Sequence, residues 1–150
     1  MKVAIEEARK GFTRDDGGPF GAIIVRNGVP IANAHNEVLK TNDPTAHAEI
    51  LAIRKACAHL ESYDLSDCEI YSTSEPCPMC FSAIHWSRLK KLYFGTTKDD
   101  VSVIGFDDGL IYDILRGKAQ AVQLERINVD RDSCLGLLQE WDAKPDKVVY

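Results

Sequence analysis

His47, Glu49, Cys77 and Cys80 are the residues of this chain whose types and spacing could do chemistry together. They stand in two short stretches, His47-Ala48-Glu49 and Pro76-Cys77-Pro78-Met79-Cys80. Zinc takes nitrogen and sulfur ligands tetrahedrally, and a catalytic site keeps three protein ligands so that water can hold the fourth position. His47, Cys77 and Cys80 supply three, and Glu49 is left over as a proton carrier. Two thiolates and a neutral imidazole roughly cancel the charge of the ion, yet the metal still lowers the pKa of bound water toward neutrality. The nucleophile formed in this way suits displacement of an amine from an aromatic ring carbon.

The flanking residues predict the elements that must position this set. Asp43 as a cap, Pro44 in the first turn, and Ala46, Ile50, Ile53, Cys57 and Leu60 at helical spacing predict a helix over residues 44–60, with His47 and Glu49 in its opening turns. Cys77 and Cys80, three apart, share a face at the start of a second helix running through Phe81, Ile84 and Leu89. Two helix N-termini then converge on the metal, where their N–H groups favour thiolate and hydroxide. Residues 1–12 read as a helix ended by Gly11 and the turn-rich stretch 15–19. Strands follow at 20–25 and 29–34, joined by the hairpin signal Asn27-Gly28. Further strands are expected at 69–72, 91–94 and 119–124, short helices at 99–104 and 110–115, and a last helix marked by Cys134, Leu138 and Trp141. Helices alternating with strands after a hairpin imply an α/β, three-layer α/β/α domain around a five-stranded mixed sheet.

Composition bounds the function classes. The 150 residues fit one domain, and 45% hydrophobic with 27% charged content is ordinary for a globular protein. The net charge of -5, from 18 basic and 23 acidic residues, argues against a partner made of phosphate backbone. No apolar run reaches membrane-spanning length, and Glu6 and Glu7 stand where a signal peptide would be apolar. Of the five cysteines, Cys57, Cys68 and Cys134 lie outside the motif and read as reduced residues of a cytoplasmic chain.

Other readings of the motif remain open at this point. Cys68, His35, His59 or His85 as a fourth ligand would make a closed structural zinc site, although Glu49 would then have no task. His59 and His85 read as helix-surface residues, and nothing in the spacing of His35 makes it a ligand. Phe20 reads as core or pocket wall, and Gly21 beside it suggests a close backbone approach. The pair Asp107-Asp108 reads from spacing alone as a solvated turn.

With these residues in place, the chain resembles the cytidine deaminase-like superfamily of zinc-dependent deaminases and, within it, the guanine deaminase branch. The resemblance runs along nearly the whole chain: GGPFGA (17–22), NDPTAHAE (42–49), AIRKAC (52–57), EPCPMC (75–80), GFDD (105–108) and the terminal Tyr150. The metal motif is shared across the superfamily, whereas the GFDD stretch and the terminal tyrosine look like the guanine branch. Ser82 stands where a glycine is common in the family, and the chain begins several residues later than is usual.

The resemblance implies roles that spacing does not. Asn36 would hydrogen-bond the edge of a bound base and Phe20 would stack on it, while Asp108 would contact the purine or assist proton transfer. It implies one zinc ion per chain, guanine as substrate, and a single domain over residues 1–150. It also implies that a C-terminal segment from about residue 128 is exchanged within a homodimer, so that Tyr150 closes the partner's pocket. Guanosine, cytosine or an aminated triazine are the enzymatic alternatives. A tRNA adenosine deaminase suits the acidic chain poorly, and a zinc module without catalysis would have no reason to keep Glu49.

Overall fold

The structure is a computed structural model that describes residues 1–119 and 124–148. The chain divides into two compact units, Met1–Tyr112 and Asp113–Tyr150. The first unit holds helices α1 (Lys2–Thr13), α2 (Val38–Thr41), α3 (Ala48–Leu60), α4 (Pro78–Trp86) and α5 (Lys98–Ser102). Its strands are β1 (Gly21–Arg26), β2 (Val29–His35), β3 (Cys68–Ser74) and β4 (Lys91–Thr96). Helix α6 (Gly109–Leu115) crosses the boundary, and α7 (Arg131–Asp142) belongs to the second unit.

Among the described residues the sheet has four strands in the order β2-β1-β3-β4. β1 runs antiparallel to β2 and β3, while β3 and β4 are parallel, so the sheet is mixed as expected. The count of four corrects the expected five. The remaining candidate, 119–124, falls mostly on residues 120–123, outside the described residues.

Strand periodicity explains the layers. On one face Ala22, Ile24, Ala32, Ala34 and Ile70 pack with Ala48, Ala52, Ile53 and Ala56 of α3 and Ile84 of α4. On the other face Ile23 and Val25 meet Ala4 of α1. β1 is therefore buried on both sides, and helices cover both faces of the sheet. Small side chains let these layers approach closely. A Cβ on Gly21 would stand 2.1 Å from the carbonyl oxygen of Ala4, so helix α1 is what the glycine admits. At the hairpin tip Asn27 and Gly28 both take positive φ, as the tight turn demands.

Three of the differences from the expected helix boundaries bear on the site and the layers around it. The helix predicted over 44–60 begins only at Ala48. Asp43 Oδ1 instead accepts from the N–H and the hydroxyl of Thr45 at 2.8 and 2.7 Å, a side-chain turn that competes with helix. The cysteine helix stops at Trp86, short of Leu89, because Arg88 turns left-handed (φ 61°) and the Leu89 N–H closes on the Ile84 carbonyl. Gly11 does not end α1, which continues to Thr13; it is a buried contact with His35 instead.

Candidate active site

The shortened helices change how the metal ligands are held. His47 is the N-cap of α3, with extended backbone, and Cys77 is the N-cap of α4, with Pro78 following. Cys80 lies in the first turn of α4 and is fully buried. Both helices thus present unpaired N–H groups around the ligands. His47 Nδ1 stands 3.6 Å from Cys77 Sγ and 3.5 Å from Cys80 Sγ. With Zn–S of about 2.3 Å and Zn–N of about 2.0–2.1 Å, a tetrahedral angle separates N and S by about 3.5–3.6 Å. The three residues therefore fit zinc. Among the described residues no fourth ligand joins them, and the open site is favoured over the closed one. His59 and His85 are exposed on their helices, as expected.

The electrostatics show what a cation would find. Left to themselves, the two thiols share one negative charge. Cys77 is brought down to about 4 by the hydrogen bond from Cys80 and then by His47. Cys80 is pushed up by that same bond, with burial and Glu49 adding to it. His47 is raised by its hydrogen bond to the Cys77 sulfur. A divalent ion takes the place of these protons, so metal binding releases them.

Glu49 sits one residue inside α3 and is only 5% exposed. Burial is the main cause that holds its carboxyl above the usual range. Ser72 donates its hydroxyl to Oε1 at 3.0 Å, and Oε2 lies 3.5 Å from Cys80 Sγ. Ser72 was not singled out from sequence. Its signal is the alternation of β3, which turns Cys68, Ile70, Ser72 and Ser74 inward and so buries hydroxyls on the side facing α3.

A cavity of about 440 Å³ opens beside this set, lined by His47, Glu49 and Cys77 together with Phe20, Asn36 and Asp108. All three residues that the resemblance singled out in the described chain therefore line one pocket. Asp108 is not the solvated turn that spacing suggested. It is partly buried, and burial, with the negative charge of Cys77, raises its carboxyl. Asn36 is buried and uses Oδ1 to accept from Gly18 N–H at 3.3 Å and Val38 N–H at 3.2 Å. Phe106, within the GFDD stretch, packs edge-on against Phe20 with centroids 5.0 Å apart and forms part of the cavity wall. Glu75 also lines the cavity and accepts from Lys98 N–H at 3.0 Å. Tyr150 lies outside the described residues. His35 is not at the metal; it is buried beside Asp16, Glu7 and Glu37.

The comparisons agree with this geometry. Residues 1–96 match the family model described as the cytidine and deoxycytidylate deaminase zinc-binding region. The chain is 41% identical over 150 residues to a guanine deaminase of Bacillus subtilis, covering 100% of this chain and 96% of that one. The solved guanine deaminase structure from Bacillus subtilis superposes with a TM-score of 0.93, covering 99% of this chain and 95% of the other. A tRNA-specific adenosine deaminase of Aquifex aeolicus is 49% identical over 94 residues, 63% of this chain and 62% of that protein. A further solved structure, in complex with 2,6-diaminopurine, matches at 34% identity and a TM-score of 0.69, covering 99% of this chain and 82% of that one. With its ligand triad, buried glutamate and matching fold, the chain belongs to the zinc-binding cytidine and deoxycytidylate deaminase family.

Proposed function

We propose that the protein is a hydrolase of purine metabolism that removes the 2-amino group of guanine, giving xanthine and ammonia. The observation that carries this reading is the cavity that Glu49, His47 and Cys77 line together with Phe20, Asn36 and Asp108. Whole-length similarity to a guanine deaminase supports it. A cavity of about 440 Å³ suits a free base, and the net charge of -5 disfavours a tRNA substrate.

When bound, one zinc ion per chain, held by His47, Cys77 and Cys80, supplies a water activated for attack near neutral pH. Glu49 takes the proton of that water and delivers it to the ring nitrogen beside the carbon under attack. It then takes the proton left on the oxygen added to that carbon and gives it to the departing amine, so one carboxylate serves as base and then as acid. Ser72, bonded to one carboxylate oxygen, restricts which oxygen is free to do so. Phe20 stacks on the purine, Asn36 hydrogen-bonds its edge, and Asp108 contacts the base or assists proton movement.

The working unit is a homodimer with exchanged C-terminal segments from about residue 128, in which Tyr150 closes the partner's pocket. Helix α7 supports this reading: Leu135, Leu137, Leu138 and Trp141 all have exposed side chains along it. A cytoplasmic setting agrees with free thiols at Cys57, Cys68 and Cys134, and none of the described helices is long and apolar enough to cross a membrane.

A panel of free bases and nucleosides assayed for ammonia release tests the substrate. Guanine is expected to be turned over best, with cytosine, adenine and single-stranded nucleic acid poor. Equal activity on guanosine would show that a ribose is admitted, and activity on a tRNA stem-loop adenosine would overturn the substrate class.

A further inference from the structure

His35 and Asp16 lie outside the cavity, yet each directly precedes a stretch that shapes it. His35 precedes Asn36, and Asp16 precedes Gly17 and Gly18. Both are buried, at 9% and 8% exposure, and His35 Nε2 meets Asp16 Oδ2 at 2.8 Å. The His35 side chain packs against α1 where Gly11 has no side chain; a Cβ there would stand 2.5 and 2.7 Å from two of its ring carbons and 2.8 Å from its Cβ. Asp16 is a hub in its own backbone as well. Its N–H donates to the Gly11 carbonyl, and its carbonyl accepts from the N–H groups of Leu39 and Lys40. The Lys40 ammonium stands 2.9 Å from Glu37 and 3.9 Å from Asp16, so a lysine already serves as cation to these carboxylates. This cluster reads as a crosslink and not as a second metal site.

The crosslink bears on one side-chain amide. One step beyond the Asp16–His35 bond, Gly18 N–H donates to Asn36 Oδ1, and Val38 N–H donates to the same oxygen. A flipped amide would set its NH2 group against two N–H donors, so the oxygen must face them. The NH2 edge is then what Asn36 offers to a ligand. Gly17 rests on Asn36 so closely that a Cβ would stand 2.1 Å from Oδ1. Two consecutive glycines have the widest conformational freedom of any dipeptide and hold one geometry only when their flanks are fixed.

We propose that the buried Asp16–His35 pair fixes the hydrogen-bonding edge that Asn36 presents, and thereby makes the pocket select 6-oxo over 6-amino purines. This rests on the purine deaminase reading above. A donor edge pairs with the 6-oxo acceptor of guanine. The 6-amino group of 2,6-diaminopurine sets donor against donor, although the 2-amino group to be removed is the same. Once the pair is broken, the Gly18 arm of this pin is loosened and Val38 N–H is left to hold the amide oxygen, so the amide rotates more readily and can accept as well as donate. Asp16 and His35 touch no substrate; they are positioning residues.

The test compares kcat/KM for ammonia release from guanine and from 2,6-diaminopurine, with zinc content measured on each protein. The unaltered protein should prefer guanine by at least about tenfold, the scale of one mispaired buried hydrogen bond. Asp16→Ala and His35→Ala should collapse most of that ratio with zinc retained. They break one bond from opposite ends, so either variant, folded and zinc-loaded, decides the matter. Asp16→Asn keeps an acceptor for His35, and His35→Gln keeps a donor for Asp16, so both should restore the ratio. A merely structural role would lower both activities together and leave the ratio unmoved, and that result overturns the proposal alone. Absence of guanine turnover by the unaltered protein overturns the deaminase reading, and this proposal with it.

Discussion

Glu49→Gln separates a proton carrier from a ligand or a packing residue. The substitution conserves volume at a position only 5% exposed, where an isosteric change costs less than about 1.5 kcal/mol. The Gln carbonyl can still accept the Ser72 hydroxyl, now 3.0 Å from Oε1. The new NH2 group stands where Oε2 lies 3.5 Å from Cys80 Sγ, and it can donate to a thiolate there. Fold and metal binding should therefore survive. What disappears is the exchangeable proton. General acid–base catalysis is worth about 10²–10⁴-fold, and here one group serves both the attack and the departure. Turnover on guanine should fall at least about 10³-fold, equivalent to about 4 kcal/mol of transition-state stabilisation. Ammonia release at saturating guanine, normalised to zinc content, measures it. Glu49→Asp keeps the acid but withdraws it by one methylene, and should lie between the two. Near-normal turnover by a zinc-loaded Glu49→Gln protein would refute the proton-carrier role, and loss of zinc from it would make Glu49 a ligand.

Cys80→Ala should strip most of the zinc and the activity and lower stability, because two helix N-termini are joined through the metal; full metal occupancy by elemental analysis would show the ligand set to be wrong. Burial and its hydrogen bond to Asp67 push the Cys68 thiol up to about 11. Cys68 is also only 2% exposed, whereas Cys134 is exposed. Iodoacetamide should therefore label Cys134 much faster than Cys68, as peptide mass mapping can read out, and raising the pH toward 11 should speed the labelling of Cys68. Deleting the residues after Pro145 should cut guanine turnover while zinc stays bound. Mixing that chain with a full-length Glu49→Gln chain should restore part of the activity if the tail closes a neighbour's site; heterodimers without recovery would sink the exchange.

The candidate metal ligands and Glu49 were legible because their chemistry is encoded in spacings of two and three residues. What the sequence concealed was how the ligands are carried. Asp43 looked like a helix cap, but Thr45 supplies a nearer partner, so the chain turns once more before α3 begins. His47 consequently acts from an N-cap, outside the first helical turn. The pocket was legible only through resemblance. Phe20, Asn36 and Asp108 come together from just before β1, from just after β2 and from the loop before α6, and no local pattern links them. Phe106 and Ser72 were visible as residues but not as neighbours of Phe20 and Glu49. The Asp16–His35 pair was hidden for a related reason: a histidine and an aspartate nineteen residues apart carry no periodic signal. It is the removal of a side chain at Gly11 that makes room for them to meet.

The charges around the cavity bear on which substrates can enter. Glu49, Glu75, Asp107 and Asp108 line it, against Lys98 as the basic residue. The Lys98 ammonium is itself 2.7 Å from Asp99, and its backbone N–H is given to Glu75. A zinc ion with two thiolates and a neutral histidine adds no net charge. The lining therefore remains acidic with the metal in place. In a concave, partly desolvated site such charges act at an effective dielectric well below that of water, where each like-charge approach at about 4 Å costs on the order of 4 kcal/mol. A phosphorylated nucleotide would meet that cost at several positions, whereas a neutral heterocycle meets none of it. The same field favours the positive charge that gathers on the amine as it leaves. Acidity thus works in one direction at both ends of the proposed reaction, admitting an uncharged base and easing the departure of ammonia.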